Sequence, residues 1–200
     1  MYRIAVAVSG RGSNLTALLG TLGAGTAAQV VLVLSHNSAA GGVVLARAAA
    51  IPTAIFADPA DPAAWLAALG ALRVDLLVLA GYLKLVPSPV VQAYRGRILN
   101  IHPALLPRHG GPGMYGLRVH RAVLAAGDTE SGATVHLVDE EYDRGAIIAQ
   151  VRVPVLPDDT PERLAQRVLG AEHQLLPAAV LKAAQAGVPV PFSFELETAQ

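Results

Sequence analysis

Ile4-Ala5-Val6-Ala7-Val8-Ser9-Gly10-Arg11-Gly12-Ser13-Asn14-Leu15 decides how the rest of the chain is read. Five apolar residues form a strand-length run, a glycine-rich turn follows, and Leu15 to Leu22 then takes up a helical pattern. A strand that feeds a helix through such a turn is the opening of a βαβ unit. The rhythm continues outward. Val30 to Leu34 reads as a strand and Ala39 to Ala49 as a helix. Thr53 to Phe56 reads as a short strand, Pro62 to Leu72 as a helix, Val74 to Ala80 as a strand, and Ile98 to Ile101 as a strand stopped by Pro103. The expectation is an α/β, Rossmann-like, mostly parallel sheet with helices on both faces.

The second half changes style. Leu105 to Leu117 is rich in Pro and Gly and reads as a loop, and Arg118 to Ala126 as a helix ended by Gly127. Ala133 to Val138 and Ile147 to Val155 are β-branched strands split by the acidic stretch Asp139 to Gly145. Thr160 as N-cap with Pro161 in the first position starts a helix that can run to Ala186, with a bend expected near Pro177. Pro189 to Gln200 has no assignment, and no internal repeat is visible. One domain over residues 1–188 with a tail over 189–200 is the expected organisation.

Bulk composition excludes several classes. Of 200 residues, 53% are hydrophobic and 15% charged, so the chain is globular rather than disordered. Lys plus Arg and Asp plus Glu both number 15, which gives no broad basic face for nucleic acid. There is no cysteine, hence no disulfide, thiol nucleophile or zinc-thiolate cluster. The apolar runs fall far below the ~20 residues that span a bilayer. Met1-Tyr2-Arg3 leads directly into a strand pattern without a signal-peptide layout, so the cytoplasm is expected.

The Ser9 to Asn14 turn lies where ligands bind in open α/β sheets. Glycines let the backbone approach an anion, and the helix N-terminus favours negative charge. Leu15 stands where a dinucleotide fingerprint has its third Gly, and no Lys-Ser/Thr follows as in a Walker loop. The plainer alternative is a tight turn in which Ser13 or Asn14 only caps the helix.

Asn100-Ile101-His102-Pro103 ends an apolar strand. Residues two apart share a face, so Asn100 and His102 point together and Ile101 points into the core. An Asn amide can donate to an oxygen that gains charge, and His carries protons near neutral pH. A hydrogen-bonded structural histidine is the alternative. Asp139-Glu140-Glu141-Tyr142-Asp143-Arg144-Gly145 offers four acids in one loop, and spacing alone does not select among them. A carboxylate aimed inward beside Gly145 would orient His102 and raise its pKa above the ~6.5 reference. His102, His109, His120 and His136 lack zinc-ligand spacing, and no metal is expected. No Gly-x-Ser-x-Gly elbow is present.

Taken in order, Ser9 to Leu15, Leu79-Ala80-Gly81-Tyr82-Leu83-Lys84, Asn100 to Pro107, Gly132-Ala133-Thr134-Val135-His136, Asp143-Arg144-Gly145, Arg167-Val168 and Glu172-His173 resemble the phosphoribosylglycinamide formyltransferase family. The resemblance covers nearly all of residues 1–188. It implies a formyltransferase fold and transfer of a formyl group from 10-formyltetrahydrofolate, a co-substrate, to a phosphorylated amine in purine synthesis. It implies Asn100, His102 and Asp143 as the catalytic trio. Gly12, Ser13 and Asn14 match the motif for the substrate phosphate, and Glu172 a residue on its ribose. Leu83, Lys84, Leu85 and Val86, with Asn100 and with Asp139, Glu140, Glu141, Tyr142 and Asp143, match the folate-gripping segments, largely through backbone atoms.

Departures accompany the resemblance. Arg108 to Val119 is longer than in many members, Phe56 to Trp65 lacks an Arg that some members place near folate, and Lys84 stands where Arg is common. Small-molecule partners are expected, with no nucleic acid and no membrane, and a homodimer is left open. Related enzymes acting on methionyl-tRNA or water share the trio but usually carry an added domain, which this chain is not expected to have. A non-catalytic nucleotide-binding module would use only the first loop.

Overall fold

The computed structural model describes residues 1–23 and 25–196. Its element order is β1 (Tyr2–Ala7), α1 (Ser13–Thr21), β2 (Ala28–Ser35), α2 (Gly41–Ala48), β3 (Thr53–Ile55), α3 (Pro62–Ala71), β4 (Leu76–Leu79), α4 (Ser88–Ala93), β5 (Ile98–His102), α5 (Leu117–Ala125), β6 (Glu130–Leu137), β7 (Ile147–Pro154) and α6 (Pro161–Ala186). The seven strands form one sheet in the order β3-β2-β1-β4-β5-β6-β7. Pairs from β3 through β5 are parallel, and β5–β6 and β6–β7 are antiparallel.

Alternation along β1 explains the layers. Ile4, Val6 and Val8 enter one core with Leu15 and Leu18 of α1, Val43 of α2, Val123 of α5 and the buried stripe of α6. Ala5 and Ala7 enter the other with Trp65 and Leu69 of α3 and Val90 and Val91 of α4. Helices therefore cover both faces, as a buried parallel sheet requires. The strand order turns back beside β1, which has β2 on one side and β4 on the other. That switch point opens a crevice at the carboxyl strand ends.

One local feature differs from the sequence reading. The six-residue helix α4 was not expected, because Pro87 and Pro89 flank and begin a segment too short to show helical periodicity. It forms because Pro89 suits a helix start and Val90 and Val91 bury against α3. The helix α6 is a single element through Pro177, with Thr160 Oγ1 accepting the Arg163 amide at its start.

The tail also acquires a structural place. The Phe192 amide donates to the Ile148 carbonyl on edge strand β7 at 2.9 Å, and Phe192, Phe194 and Leu196 pack on the larger core. Residues 197–200 of that tail lie outside the described residues. Phe192→Ala is expected to cost about 2 kcal/mol, less than a fully buried Phe because the ring is only half-buried. This lowers Tm by roughly 4–8 °C. An unchanged melting curve would show that the tail is not part of the cooperative unit.

Candidate active site

The crevice is built from three strand ends. At the first, Gly12 occupies the N-cap of α1 with φ +84°, and no side chain caps that helix. A Cβ on Gly12 would meet Gly42 Cα at 2.6 Å, so this position requires glycine both for its conformation and for the approach of α2. Ser13 and Asn14 therefore stand inside the first turn rather than at its cap. The Asn14 amide donates from Nδ2 to Glu172 Oε2 at 2.6 Å, joining α1 to α6. Asn14 Oδ1 has no partner among the described residues. Burial pushes the Glu172 carboxyl up to about 7, against the opposing hydrogen bond from Asn14.

The second strand end carries Leu83 to Val86. The Leu83 amide donates to Ser9 Oγ at 2.9 Å, and the Ser9 amide to the Gly81 carbonyl at 3.2 Å, so the loops after β1 and β4 are tied together. Leu83 and Leu85 remain more than half exposed at the crevice, while Val86 is buried.

The third end is β5. Ile101 enters the core, and Asn100 and His102 face the crevice together, with His102 3% exposed. In the antiparallel pairing, Asn100 lies opposite His136 and His102 opposite Thr134. Asn100 Nδ2 is 3.0 Å from His136 Nε2. His136 Nδ1 is 2.7 Å from the Leu137 carbonyl, which can only accept, so that nitrogen holds its hydrogen. Thr134 Oγ1 donates to the Ala104 carbonyl at 2.6 Å and accepts the Leu106 amide at 3.1 Å, fixing the chain just after His102.

Among the four acids, Asp143 reaches this cluster. Its Oδ2 is 3.5 Å from His102 Nδ1 and accepts the Gly111 amide at 2.8 Å; its Oδ1 is 3.5 Å from His136 Nε2. The other acids are engaged elsewhere or face solvent. Glu140 accepts from Ser88 Oγ at 2.9 Å and Gln92 Nε2 at 3.0 Å, Asp139 accepts the Glu141 amide at 2.9 Å, and Glu141 is exposed. Tyr142 stands half-exposed at the mouth. The positive φ of 56° falls on Asp143 itself rather than on Gly145. Gly145 is required for space, since a Cβ there would overlap the Leu137 carbonyl.

The electrostatics correct one expectation. The His102 pKa is lowered, not raised: burial dominates, and the attraction of Asp143 and the hydrogen bond to the His109 carbonyl oppose it without overcoming it. Burial also acts to raise Asp143, but the neighbouring His136 and His102 imidazoles and the Gly111 amide together hold it below the usual carboxylate range.

All the positions singled out in the sequence, namely Gly12 to Asn14, Leu83 to Val86, Asn100, His102, Asp139 to Asp143 and Glu172, line one crevice of about 970 Å³. His136 joins them, a residue that sequence reasoning quoted within a motif without a role. The described residues include no cluster of His, Cys, Asp or Glu placed to hold a metal ion, and no helix among them is long and apolar enough to cross a membrane.

The formyl transferase family model matches residues 2–180, and the chain belongs to that family. Within it, the chain is 47% identical over 181 residues to the chloroplastic phosphoribosylglycinamide formyltransferase of Arabidopsis thaliana. That match covers 86% of this chain but spans only 62% of the plant relative's length. The phosphoribosylglycinamide formyltransferase of Haemophilus influenzae is 38% identical over 187 residues, with 90% of this chain and 86% of the relative covered. The crystal structure of phosphoribosylglycinamide formyltransferase from Anaplasma phagocytophilum superposes with a TM-score of 0.85 at 38% identity, covering 92% of this chain and 87% of that one.

Proposed function

We propose that this chain transfers the formyl group of 10-formyltetrahydrofolate to the amine of N1-(5-phosphoribosyl)glycinamide, giving formylglycinamide ribonucleotide in de novo purine biosynthesis. The observation that carries this reading is the single crevice running from the uncapped N-terminus of α1 to the Asn100, His102 and Asp143 cluster. One end suits an anion, the other a reacting carbonyl. The names of the relatives point the same way.

In this mechanism the glycinamide amine attacks the formyl carbon. Asn100 Nδ2 and His102 donate to the oxygen as it becomes an oxyanion. A buried imidazole that is reluctant to ionise in the free protein gains from the negative charge growing beside it, so protonation and bond formation reinforce each other. Asp143 stabilises the imidazolium and helps pass the amine's proton to the folate nitrogen as the carbon–nitrogen bond to folate breaks. The donor is already activated, so the reading includes no metal. Gly12, Ser13 and Asn14 hold the phosphate and Glu172 a ribose hydroxyl. The pterin lies against the backbone of Leu83, Lys84, Leu85 and Val86 and of Asp139 to Asp143. Residues 1–188 act as one catalytic domain, the cytoplasm is the proposed compartment, and small molecules are the partners.

The direct test is a spectrophotometric assay with 10-formyl-dideazafolate and phosphoribosylglycinamide. Formylated product is expected. Donor loss that needs no amine would instead identify a hydrolase, and no donor loss would overturn the reading. The division of the crevice has its own test. Ser13→Ala with Asn14→Ala is expected to weaken phosphoribosylglycinamide binding on the order of tenfold, the value of a hydrogen bond to a charged group. Folate binding should be nearly untouched. Equal losses for both ligands, read by titration calorimetry, would contradict the assignment.

A further inference from the structure

His102 Nε2 is 2.9 Å from the main-chain carbonyl of His109. A carbonyl can only accept, so Nε2 keeps its hydrogen in both protonation states. The proton that comes and goes therefore sits on Nδ1, the nitrogen facing Asp143. Two residues further on, the Gly111 amide donates to Asp143 Oδ2 at 2.8 Å. One short stretch of main chain thus holds both members of the His102–Asp143 pair.

What holds that stretch lies outside the crevice. His109 has φ +57°, a conformation that L residues rarely adopt without support. Its imidazole turns away from His102, and Nε2 meets Asp128 Oδ2 at 2.6 Å. Asp128 Oδ1 also takes the Arg108 guanidinium. The His109 and Asp128 side chains are only 14% and 9% exposed, so water competes little with this contact. They line a separate pocket of about 30 Å³ with Leu105, Val123 and Ser131, and neither lines the reaction crevice. Asp128 is itself fixed in the turn between α5 and β6, where its amide donates to the Val123 carbonyl at 3.3 Å.

We propose that Asp128 and His109 are a positioning pair for formyl transfer: Asp128 clamps the His109 ring, and the main chain so fixed presents the His109 carbonyl to His102 and the Gly111 amide to Asp143. This rests on the formyl-transfer reading above. The clamp sets the His102 tautomer and keeps its titrating nitrogen on the Asp143 side. Without it the ring can turn, and a fraction of molecules carries the wrong nitrogen toward the crevice.

Asp128→Asn and His109→Ala, each in the full chain, are expected to lower kcat about tenfold while both KM values stay within about twofold. Ligand-free NMR with ¹⁵N-labelled histidine should show a single Nε2–H tautomer of His102 in the wild type and a mixture in both variants. The pH profile separates positioning from a simple field effect. His102 is faced by Asp143, by His136 on β6, by His109 and by His120 on α5. Removing the Asp128 charge and removing the His109 ring would shift His102 in opposite directions by field alone. Loss of the carbonyl contact lowers its pKa in both, moving the alkaline limb of kcat to lower pH. His109→Gln, which can still donate to Asp128, should restore the wild-type tautomer and rate. If Asp128→Asn fails to fold, the His109→Ala and His109→Gln comparison decides alone. A single Nε2–H tautomer with wild-type kcat in the Ala variant overturns the proposal, whatever the melting temperature does. Should the wild type prove not to transfer formyl groups, the tautomer measurement still decides whether the clamp exists.

Discussion

Asp143→Asn is expected to lower kcat at least ~10²-fold near pH 7, and His102→Ala to do the same, with the fold retained in both. That magnitude is the lower end of what a positioned proton carrier contributes. The physical chain begins with burial, which already pulls the His102 pKa below its ordinary value; Asp143 is the largest influence pushing back. An Asn at 143 keeps the shape and can still accept the Gly111 amide, but it removes the charge. With its oxygen kept on the Gly111 amide, its NH2 group would take the place of Oδ1 and face His136 Nε2. The His102 pKa should therefore fall further, and less imidazolium is available as pH rises through neutrality. Folate contacts made by backbone atoms of the 139–143 segment survive, so the donor KM should move less than kcat. Histidine-resolved NMR titration of wild type and variant measures the shift directly. An unchanged or higher His102 pKa in the variant would remove Asp143 as its electrostatic partner, and near-wild-type turnover would remove it from the reaction.

How far this site was legible in the sequence follows from the range of each signal. Asn100 and His102 were readable because strand alternation is a local rule, and the β1–α1 turn was readable because glycines and a following helix are adjacent in the chain. Asp143 was not separable from Asp139, Glu140 and Glu141 by spacing. The resemblance selected it, and the fold supplies the reason, since the other acids bind Ser88, Gln92 or their own turn or face solvent. His136 lies opposite Asn100 only through the β5–β6 register, and no local pattern encodes that pairing. The His109 contact to His102 runs through a carbonyl, an atom every residue has, and its anchor Asp128 lies 19 residues on. The lowered His102 pKa was misjudged for a related reason. A charge partner can be guessed from residue types, whereas the depth of burial depends on every element packed around the ring.

Glu172→Gln is expected to stabilise the protein above neutral pH and to weaken substrate binding at the same time. The carboxyl is nearly enclosed, and burial raises it from 4.5 to about 7. Below about pH 4.5 both the folded and unfolded forms hold the proton, and nothing is lost. Between there and about 7 the folded form holds a proton that the unfolded form has released, so stability falls as pH rises and levels off above the folded value. At about 1.4 kcal/mol per pH unit, the total is roughly 3 kcal/mol. A Gln amide stays neutral at every pH, its oxygen can accept from Asn14 Nδ2, and its N–H can meet Asn14 Oδ1, which otherwise lacks a partner among the described residues. Thermal melts should therefore nearly coincide at pH 5 and diverge at pH 8, with the variant melting higher. The proposed ribose hydroxyl reverses the preference, because a donor from the substrate favours the ionised carboxylate. Wild-type affinity for phosphoribosylglycinamide should then rise with pH through about 7 with proton release, and the variant's affinity should be lower and flat. A stability difference that does not change with pH would show that Glu172 is already ionised in the free protein, and equal affinities would separate it from the substrate.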